Sequence, residues 1–440
     1  MDYMMEDGIK VYVVSLGCPK NRVDTERLLG GLGAEPLAVE YPDDAELVLI
    51  NTCGFIRPAV EESLSAIFDA LGRVEAADPR PVVAVVGCLV SRYGPSLAEE
   101  MPEVDLWLDT RHLEEWPVLV AEALGRHPAQ FVTRKLSTGP GHAYLKVGEG
   151  CSHNCAFCTI PSIRGPHQSV HLEDLVEEAE RLVDEGVPEI VVVGQDVTAY
   201  GQDIGYEAGL VDLVGSLVNI PGLEWLRLMY LYPAGLSDEV LSFLAELGPP
   251  LLPYFDVPLQ HAHPDVLRAM GRPFARDPRR VVDRIRTYFP EAALRTSIIV
   301  GFPGETDAHF DALCDFVREV RFHHLGVFPY HAEDGTPAAT MKDQVGEAIK
   351  NERRDRLMAI QAEISSDILE SYVGESLEVL VEAPNPEWDG LFTGRAWFQA
   401  PEVDGMTYLS SGPDGPLQPG TIIKAEIYEA KTYDLVALAE

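Results

Sequence analysis

Residues 150–158 read Gly-Cys-Ser-His-Asn-Cys-Ala-Phe-Cys, so Cys151, Cys155 and Cys158 are separated by three and then by two residues. They follow a short apolar run, Ala143 to Val147, which predicts a buried strand and places the cysteines in the loop after it. Three thiolates can bind three irons of a four-iron, four-sulfur (4Fe-4S) cluster, which takes four cysteines when the protein supplies every ligand. The fourth iron is then open to a small molecule, which is typical of a reactive metal site.

Zinc is the alternative metal for this loop, with His153 as a fourth ligand. Structural zinc sites usually combine two well-separated pairs of ligands, and no second pair follows the loop at that spacing. The spacing therefore favours an iron–sulfur cluster, and zinc stays open as the second interpretation.

The loop and its flanks resemble a known enzyme superfamily. The C-x3-C-x2-C spacing, with Phe157 before the last cysteine, resembles the radical S-adenosyl-L-methionine (SAM) superfamily. The strings YLKVGEGC at residues 144–151 and CTIP at residues 158–161, followed by Arg164-Gly165, resemble the methylthiotransferases within it. The resemblance implies that the open iron binds the amino and carboxylate groups of SAM. It also implies that an electron from the cluster cleaves SAM to methionine and a 5′-deoxyadenosyl radical.

Three further cysteines each follow an apolar run near the start of the chain. Residues 11–17, 47–52 and 82–87 lead to Cys18, Cys53 and Cys88. These β-branched runs predict strands buried on both faces, hence a parallel sheet covered by helices. Because the functional crevice of such sheets lies beyond the carboxyl ends of the strands, we expect the three thiols to bind a second 4Fe-4S cluster there. The alternative is three unrelated buried cysteines, which is how we interpret Cys314 in its helical pattern.

The same segment carries a narrower resemblance. The strings SLGCPKNRVDTE at residues 15–26 and NTCGFI at residues 51–56 resemble the cluster motif of the ribosomal-protein methylthiotransferases of RimO type. The tRNA-modifying relatives of MiaB type usually lack the Pro-Lys after the first cysteine and the Gly-Phe-Ile after the second. The resemblance therefore implies a protein substrate.

Strand-like and helix-like patterns alternate from Ala143 to about Tyr330, which predicts a parallel sheet with right-handed crossovers. Strand patterns occur at residues 143–147, 189–193, 225–229, 254–257, 295–300 and 324–328. Six strands are fewer than the eight of a closed barrel, so we expect a partial (β/α)6 barrel.

Four candidate SAM contacts lie in this barrel. The resemblance implies that the cofactor lies at the carboxyl ends of the strands, and the candidates are Phe157, Gln195, Gln260 and Glu305. Polar residues in such loops are also common turn formers, which is the alternative. His261 and His263 are interpreted as solvated loop residues rather than metal ligands.

The remaining chain predicts a linker at residues 128–142 and a long helix at residues 342–372. Frequent turn signals after residue 373 predict a small antiparallel β-barrel, which resembles the OB-like TRAM domain. The predicted boundaries are therefore 9–127 for the N-terminal α/β domain, 128–142 for the linker, 143–372 for the radical SAM domain with its connecting helix, and 373–440 for the TRAM domain.

The chain is strongly acidic, with 71 acidic against 34 basic residues and a formal net charge of −37. Such a surface repels phosphate backbones and favours cationic partners, although a general acidic bias of the source organism would give the same balance. Residues 371–440 hold twelve acidic and three basic residues, so this barrel is poorly suited to RNA. No secretory signal or spanning helix is evident, and we expect a cytoplasmic protein without a membrane partner.

The resemblance implies an enzyme that adds a methylthio group to the β-carbon of an aspartate in protein twelve of the small ribosomal subunit. Its cofactors would be two 4Fe-4S clusters and SAM, and its partners a low-potential electron donor and a sulfur source. Two rivals stay open: a tRNA methylthiotransferase of MiaB type, and an iron–sulfur carrier or scaffold without catalysis.

Overall fold

The computed structural model describes residues 8–130, 133–206, 209–274, 276–412 and 415–440. Residues 131 and 132 of the predicted linker lie outside these ranges. The chain forms two compact units. The first holds the described residues up to Ser137 together with Glu149–His153 and Cys158–Pro166, and the second holds Thr138–Gly148, Asn154–Phe157 and His167–Glu440.

The first unit is built on a five-stranded parallel sheet with the strand order β2-β1-β3-β4-β5. Its strands are β1 (Ile9–Ser15), β2 (Pro36–Ala38), β3 (Leu47–Thr52), β4 (Val82–Gly87) and β5 (Leu106–Leu108). Its helices are α1 (Pro19–Gly30), α2 (Arg57–Val74), α3 (Cys88–Glu100), α4 (Trp116–Ala123) and the short α5 (Ile160–Arg164).

Both faces of this sheet are covered, because β3 contributes apolar side chains to a cluster on each face. Leu47 and Leu49 of β3 pack into a cluster with Trp116, whereas Val48 and Ile50 of the same strand pack into a second cluster on the opposite face. The prediction of a parallel sheet with buried central strands is confirmed.

The second unit contains a six-stranded parallel sheet with the order β13-β12-β11-β10-β9-β6. Its strands are β6 (His142–Lys146), β9 (Glu189–Val193), β10 (Trp225–Leu228), β11 (Leu251–Asp256), β12 (Ala293–Val300) and β13 (His324–Pro329). Its helices are α6 (Leu172–Asp184), α7 (Leu210–Leu217), α8 (Asp238–Leu247), α9 (Pro264–Ala269), α10 (Arg279–Tyr288), α11 (Asp307–Val320) and α12 (Glu347–Glu370). Two short strands, β7 (Gly148–Glu149) and β8 (Gln168–Ser169), flank the cysteine loop in the sequence. The predicted partial barrel of six strands is confirmed.

The C-terminal residues form a closed five-stranded barrel in the order β14-β15-β16-β18-β17. The strands are β14 (Ser376–Pro384), β15 (Leu391–Ala396), β16 (Thr407–Ser410), β17 (Ile422–Ala430) and β18 (Leu435–Ala439). The barrel is antiparallel as predicted, except that β16 and β18 pair in parallel. A closed ring with an odd number of strands cannot alternate direction throughout, so one parallel pair is unavoidable.

Buried ion pairs attach this barrel to the amino edge of the six-stranded sheet. Glu189, the first residue of β9, accepts hydrogen bonds from Arg227 of β10 at 2.7 Å and from Arg395 of β15 at 2.6 Å. Asp404 binds Arg295 of β12 at 3.2 Å. The amino edge is thereby closed by the C-terminal barrel, within the same unit. Among the described residues, no helix is both long and apolar enough to cross a membrane.

Candidate functional site

Cys18, Cys53 and Cys88 lie beyond the carboxyl ends of β1, β3 and β4, and the structure brings them together. Cys18 is the N-cap of α1, and Cys88 is the first residue of α3. The thiols of Cys18 and Cys88 both donate to Asn21 Oδ1, at 3.8 and 3.9 Å. A Cβ atom added to Gly17 would lie 3.3 Å from Cys53 Sγ, so the Cys53 thiol lies against the turn before Cys18.

Asn21 fixes the turn that carries these thiols. Its Nδ2 donates to Leu16 O at 2.8 Å and to Thr52 O at 3.1 Å, so it joins the ends of β1 and β3. Asn51 Nδ2 in turn donates to Asn21 O at 2.8 Å. Both asparagines are almost fully buried, and their hydrogen bonds replace those that the strands lose where they end.

Gly87 is required for the placement of Cys88. Its φ of 104° lies in the left-handed region, which side chains rarely adopt. A Cβ atom at this position would contact Asn51 Oδ1 and lie 2.7 Å from Thr52 O. The glycine therefore lets β4 turn directly into α3 while the backbone packs against β3.

The side chain of Arg164 reaches into this cluster. Its Nε donates to Cys88 Sγ at 3.2 Å, and its Nη2 donates to Asn21 Oδ1 at 2.5 Å. Its Nη1 donates to Glu149 Oε1 at 2.7 Å and to Asp24 Oδ2 at 3.4 Å. Arg164 was not among the predicted site residues. The sequence pointed to it only through the Arg164-Gly165 string shared with the family, and that string gives no information about its partners.

The electrostatics of Cys53 and Cys88 fit a shared metal centre. Burial raises the pKa of Cys53 to about 12; the backbone hydrogen bond to Phe55 opposes this shift, and Cys88 and Cys18 add to it. Burial likewise raises the pKa of Cys88, against the opposing charge of Arg164. Thiols that are near one another and poorly solvated ionise together only when a cation binds among them. A donor set of three sulfurs is the kind that iron–sulfur centres use.

The second cysteine trio is divided between the two units. In the first unit, Cys151 N donates to Gly165 O at 3.1 Å, and Cys158 Sγ accepts from Ile160 N at 3.5 Å. In the second unit, Cys155 Sγ accepts from Arg272 Nη1 at 3.4 Å. All three cysteines are half-buried. Each of the Cys155 and Cys158 sulfurs therefore accepts a hydrogen bond from an N–H group, and such outer hydrogen bonds orient metal ligands.

The four candidate SAM contacts differ in their surroundings. Phe157 packs against an apolar cluster that includes Met270 and Phe302. Gln195 is half-buried directly beyond β9. Gln260 has a φ of 74°, and its backbone bonds to Ser297 O and Ile299 N of β12.

Glu305 is the candidate whose carboxylate is already used by the chain. One oxygen accepts from Gly301 N at 2.6 Å and from Phe302 N at 3.1 Å, and the other accepts from Arg353 Nη1 at 3.1 Å. Burial raises the pKa of Glu305, and Arg353 opposes that shift. These bonds hold the loop after β12 in its turn.

The interpretation of His261 as a solvated residue is wrong. Its side chain is fully buried, and Nδ1 accepts a hydrogen bond from His263 N at 2.9 Å. Burial, together with the nearby His263, lowers the pKa of His261 to about 3. His263 is partly exposed and stacks on His309 at 4.1 Å, and the two rings cap α9 and α11 through Nδ1. Although Asp265 completes a set that could hold a cation, both histidines already accept backbone hydrogen bonds.

Three family matches cover most of the chain. Residues 145–317 match the Radical SAM superfamily, residues 10–109 match the Uncharacterized protein family UPF0004, and residues 373–439 match the TRAM domain. A curated relative from Nitratidesulfovibrio vulgaris (strain Hildenborough), named "Ribosomal protein uS12 methylthiotransferase RimO", is 59% identical over 98% of this chain and 100% of its own length. A relative of the same name from Aquifex aeolicus is 43% identical over 97% of this chain and 96% of its own length.

The chain belongs to the RimO family of radical SAM methylthiotransferases. It is thus an enzyme that transfers a sulfur-containing group, and the tRNA-modifying MiaB type is not favoured. Membership in the radical SAM superfamily also supports an iron–sulfur cluster and SAM as cofactors.

A solved structure shares the fold at low sequence identity. It is the radical SAM methyltransferase TsrM from Kitasatospora setae, with a TM-score of 0.54 at 16% identity over 88% of this chain and 81% of that chain. This similarity shows the fold alone.

Proposed function

We propose that this RimO-family chain methylthiolates the β-carbon of an aspartate residue in ribosomal protein uS12. The name of its relatives gives uS12 as their substrate, and the aspartate is what the resemblance of the cluster motifs implies. The observation that carries the proposal is the convergence of Cys18, Cys53 and Cys88 around Asn21. A chain that only cleaved SAM would need one cysteine trio. The additional trio of Cys18, Cys53 and Cys88 therefore supports a centre that handles the sulfur.

Each trio has its own role in the proposal. Cys151, Cys155 and Cys158 would hold the 4Fe-4S cluster that binds SAM, and Cys18, Cys53 and Cys88 would hold a second 4Fe-4S cluster. When bound, these groups supply the carbon-centred radical and the methylated sulfur that an unactivated C–H bond requires. Phe157, Gln195, Gln260 and the loop fixed by Glu305 stay the proposed surroundings of SAM. The sequence boundaries 9–127, 143–372 and 373–440 stay the proposed domains.

The chain's own residues prepare the sites without any group bound. Arg272 directs a guanidinium N–H at the Cys155 sulfur while its Nη2 donates to Pro258 O at 2.6 Å, so it fixes the cysteine loop to the end of β11. The backbone of Ala156 donates to Met270 O at 3.0 Å and accepts from Ala338 N at 2.8 Å. This ordering means that the loop loses little conformational freedom when it binds a metal.

The outer face of the C-terminal barrel supports a basic protein substrate. Glu378, Glu426 and Glu429 are exposed on β14 and β17, and Tyr428 is 56% exposed beside them. Carboxylates and aromatic rings suit Lys and Arg side chains, whereas a phosphate backbone would be repelled. We therefore infer that uS12, and not tRNA, binds to this face. The proposal further includes a cytoplasmic location, a low-potential electron donor and a sulfur source, as the family resemblance implies.

The proposal is tested by offering the anaerobically reconstituted enzyme, SAM and dithionite either uS12 or tRNA. We expect mass spectrometry to find the methylthio group on an aspartate of uS12 and none on tRNA. C53A should lose methylthiolation but still form 5′-deoxyadenosine, while C314A, a buried cysteine of α11, serves as the matched control. Modification of tRNA without modification of uS12 overturns the substrate. Failure of the wild-type enzyme to form 5′-deoxyadenosine would support the carrier alternative.

A further inference from the structure

We propose that Arg164 is a positioning residue that raises the reduction potential of the metal centre formed by Cys18, Cys53 and Cys88. It would do so by donating a charged hydrogen bond to Cys88 Sγ. This inference rests on the proposed function, because it requires that this trio binds a cluster.

The burial of Arg164 gives its charge a strong local effect. Its side chain is 1% exposed, and each of its three nitrogens donates to a side chain of the first unit. A guanidinium in such surroundings is screened little by water, so its field at the sulfur is much larger than at the surface. Glu149 and Asp24 compensate part of this charge. They accept hydrogen bonds from Nη1, whereas the Cys88 sulfur accepts from Nε.

The shape of the guanidinium explains why arginine is needed. Nε faces Cys88 Sγ, Nη2 faces Asn21 Oδ1, and Nη1 faces Glu149 and Asp24. A planar fork can serve three directions at fixed angles, whereas the ammonium of lysine is a single point charge. Because Asn21 also accepts from the Cys18 and Cys88 thiols, Arg164 fixes the one oxygen that those thiols share.

The short helix α5, which carries Arg164, is held by the segments that follow β3 and β5. Thr159 Oγ1 donates to Phe55 O at 3.1 Å, two residues after Cys53 in the sequence. Thr110 Oγ1 donates to Ile163 O at 3.2 Å. These bonds set the position of α5, and therefore of the guanidinium, relative to the trio. A surface arginine would have no such support.

The consequence is electrostatic. Adding one electron to an iron–sulfur cluster makes it more negative, and hydrogen bonds to its sulfurs stabilise the reduced state. Arg164 supplies both a hydrogen bond and a positive charge, so its removal should make reduction harder. Removal of a carboxylate that compensates Arg164 should make reduction easier.

The test uses the full chain with Cys151, Cys155 and Cys158 replaced by alanine, so that Cys18, Cys53 and Cys88 are the remaining candidate ligands of a cluster. After anaerobic reconstitution, dithionite titration followed by electron paramagnetic resonance gives the midpoint potential. We expect Arg164→Gln to disfavour reduction at least tenfold, equivalent to about 59 mV for one electron. We expect the midpoint potential of Arg164→Lys to lie between those of Arg164→Gln and of the protein that keeps Arg164. Arg134→Gln, which removes a guanidinium paired with buried Glu26 at 2.5 Å, is the matched control.

Each outcome decides the inference. If the variant that lacks Cys151, Cys155 and Cys158 binds no iron, the metal centre at Cys18, Cys53 and Cys88 and this inference are both overturned. If it binds iron but Arg164→Gln leaves the potential within the range of the Arg134→Gln control, only the role of Arg164 is overturned. If Arg164→Gln cannot be loaded, Glu149→Gln decides: a shift toward easier reduction supports the role, and an unchanged potential contradicts it.

Discussion

Both units bury arginine, but they surround it differently. In the second unit, Arg395 donates to Glu189 at 2.6 Å, to Glu382 at 2.6 Å and to Gln399 O at 3.0 Å, so oxygen atoms satisfy all its nitrogens. In the first unit, Arg164 has a sulfur atom among its acceptors. Burial acts to raise the pKa of Glu189, but Arg227 and Arg395 outweigh it and hold that pKa below its usual value.

The difference separates a structural network from a chemical one. In the cluster around Arg395, each guanidinium nitrogen of Arg395 donates to an oxygen atom, and the cluster joins β9 to the C-terminal barrel. The cluster around Arg164 contains the Cys88 thiol, whose ionisation is opposed by its burial, and in our proposal a bound metal completes this cluster. A buried charge is therefore evidence of function when its partners include groups, such as thiols, that can still ionise and bind a metal.

The largest expected effect comes from breaking the structural network. Arg395→Met leaves Glu189 with Arg227 as its remaining guanidinium partner and takes the guanidinium from Glu382, and removing one partner from a buried ion pair costs about 3–5 kcal/mol. Thermal and urea unfolding of the full chain should show this loss, while the iron content after reconstitution stays at the wild-type level. Arg318→Met is the control, because its pair with Asp315 is exposed and contributes at most about 1 kcal/mol. Equal losses in the two variants would contradict the distinction.

A smaller effect is expected at the glycine beneath the chemical network. Gly87→Ala places a side chain at a positive φ and against the backbone of β3, which costs about 1–3 kcal/mol and displaces Cys88. Gly72→Ala is the matched control, because Gly72 lies in the exposed part of α2 with open space around its Cα. That change should stabilise the chain by about 0.5–1 kcal/mol. Of the two variants, only Gly87→Ala should bind less iron at Cys18, Cys53 and Cys88. An unchanged iron content in Gly87→Ala would show that the turn does not position Cys88.

The smallest effect is a loss of stability in acid that originates in the second unit. Burial lowers the pKa of His261, and of His323, to about 3, whereas both titrate near 6.5 when unfolded. The unfolded chain therefore binds protons that the folded chain refuses. The contribution to stability is complete well above pH 6.5 and falls as the pH is lowered toward 3, by about 1.4 kcal/mol per histidine between pH 7.5 and 5.5.

Urea unfolding at those two pH values checks this slope. His261→Gln should reduce the pH dependence, whereas removal of the exposed His171 as His171→Asn should not. A pH dependence that is the same in both variants would assign the acid loss to other groups.

Periodicity in the sequence was sufficient for the sheets and for the cysteines. Leu47–Thr52 and Val82–Gly87 are strands with the predicted bounds, because continuous β-branched runs are typical of strands buried on both faces. Cys53 and Cys88 follow those strands directly, so the rule for the carboxyl ends of parallel strands was enough to bring them to one edge.

Partners that are distant in the sequence could not be predicted in this way. Arg164 is 76 positions from Cys88, and Arg395 is 206 positions from Glu189. No local pattern encodes which carboxylate or sulfur a buried arginine will meet. His261 was misinterpreted for the same reason, because its burial depends on elements packed around it rather than on its polar neighbours in the chain. The parallel pair in the C-terminal barrel depends on ring closure, which turn signals do not report.

The most direct test of the account is the iron and sulfide content of the full chain with Cys151, Cys155 and Cys158 replaced by alanine. A centre held by Cys18, Cys53 and Cys88 predicts about four irons and four sulfides per chain after anaerobic reconstitution, lost when Cys53 is also replaced. The account is contradicted if the triple-alanine variant binds no more iron than an unspecific control. It is also contradicted if the iron persists after Cys53 is replaced, because these three thiols then do not form one metal centre.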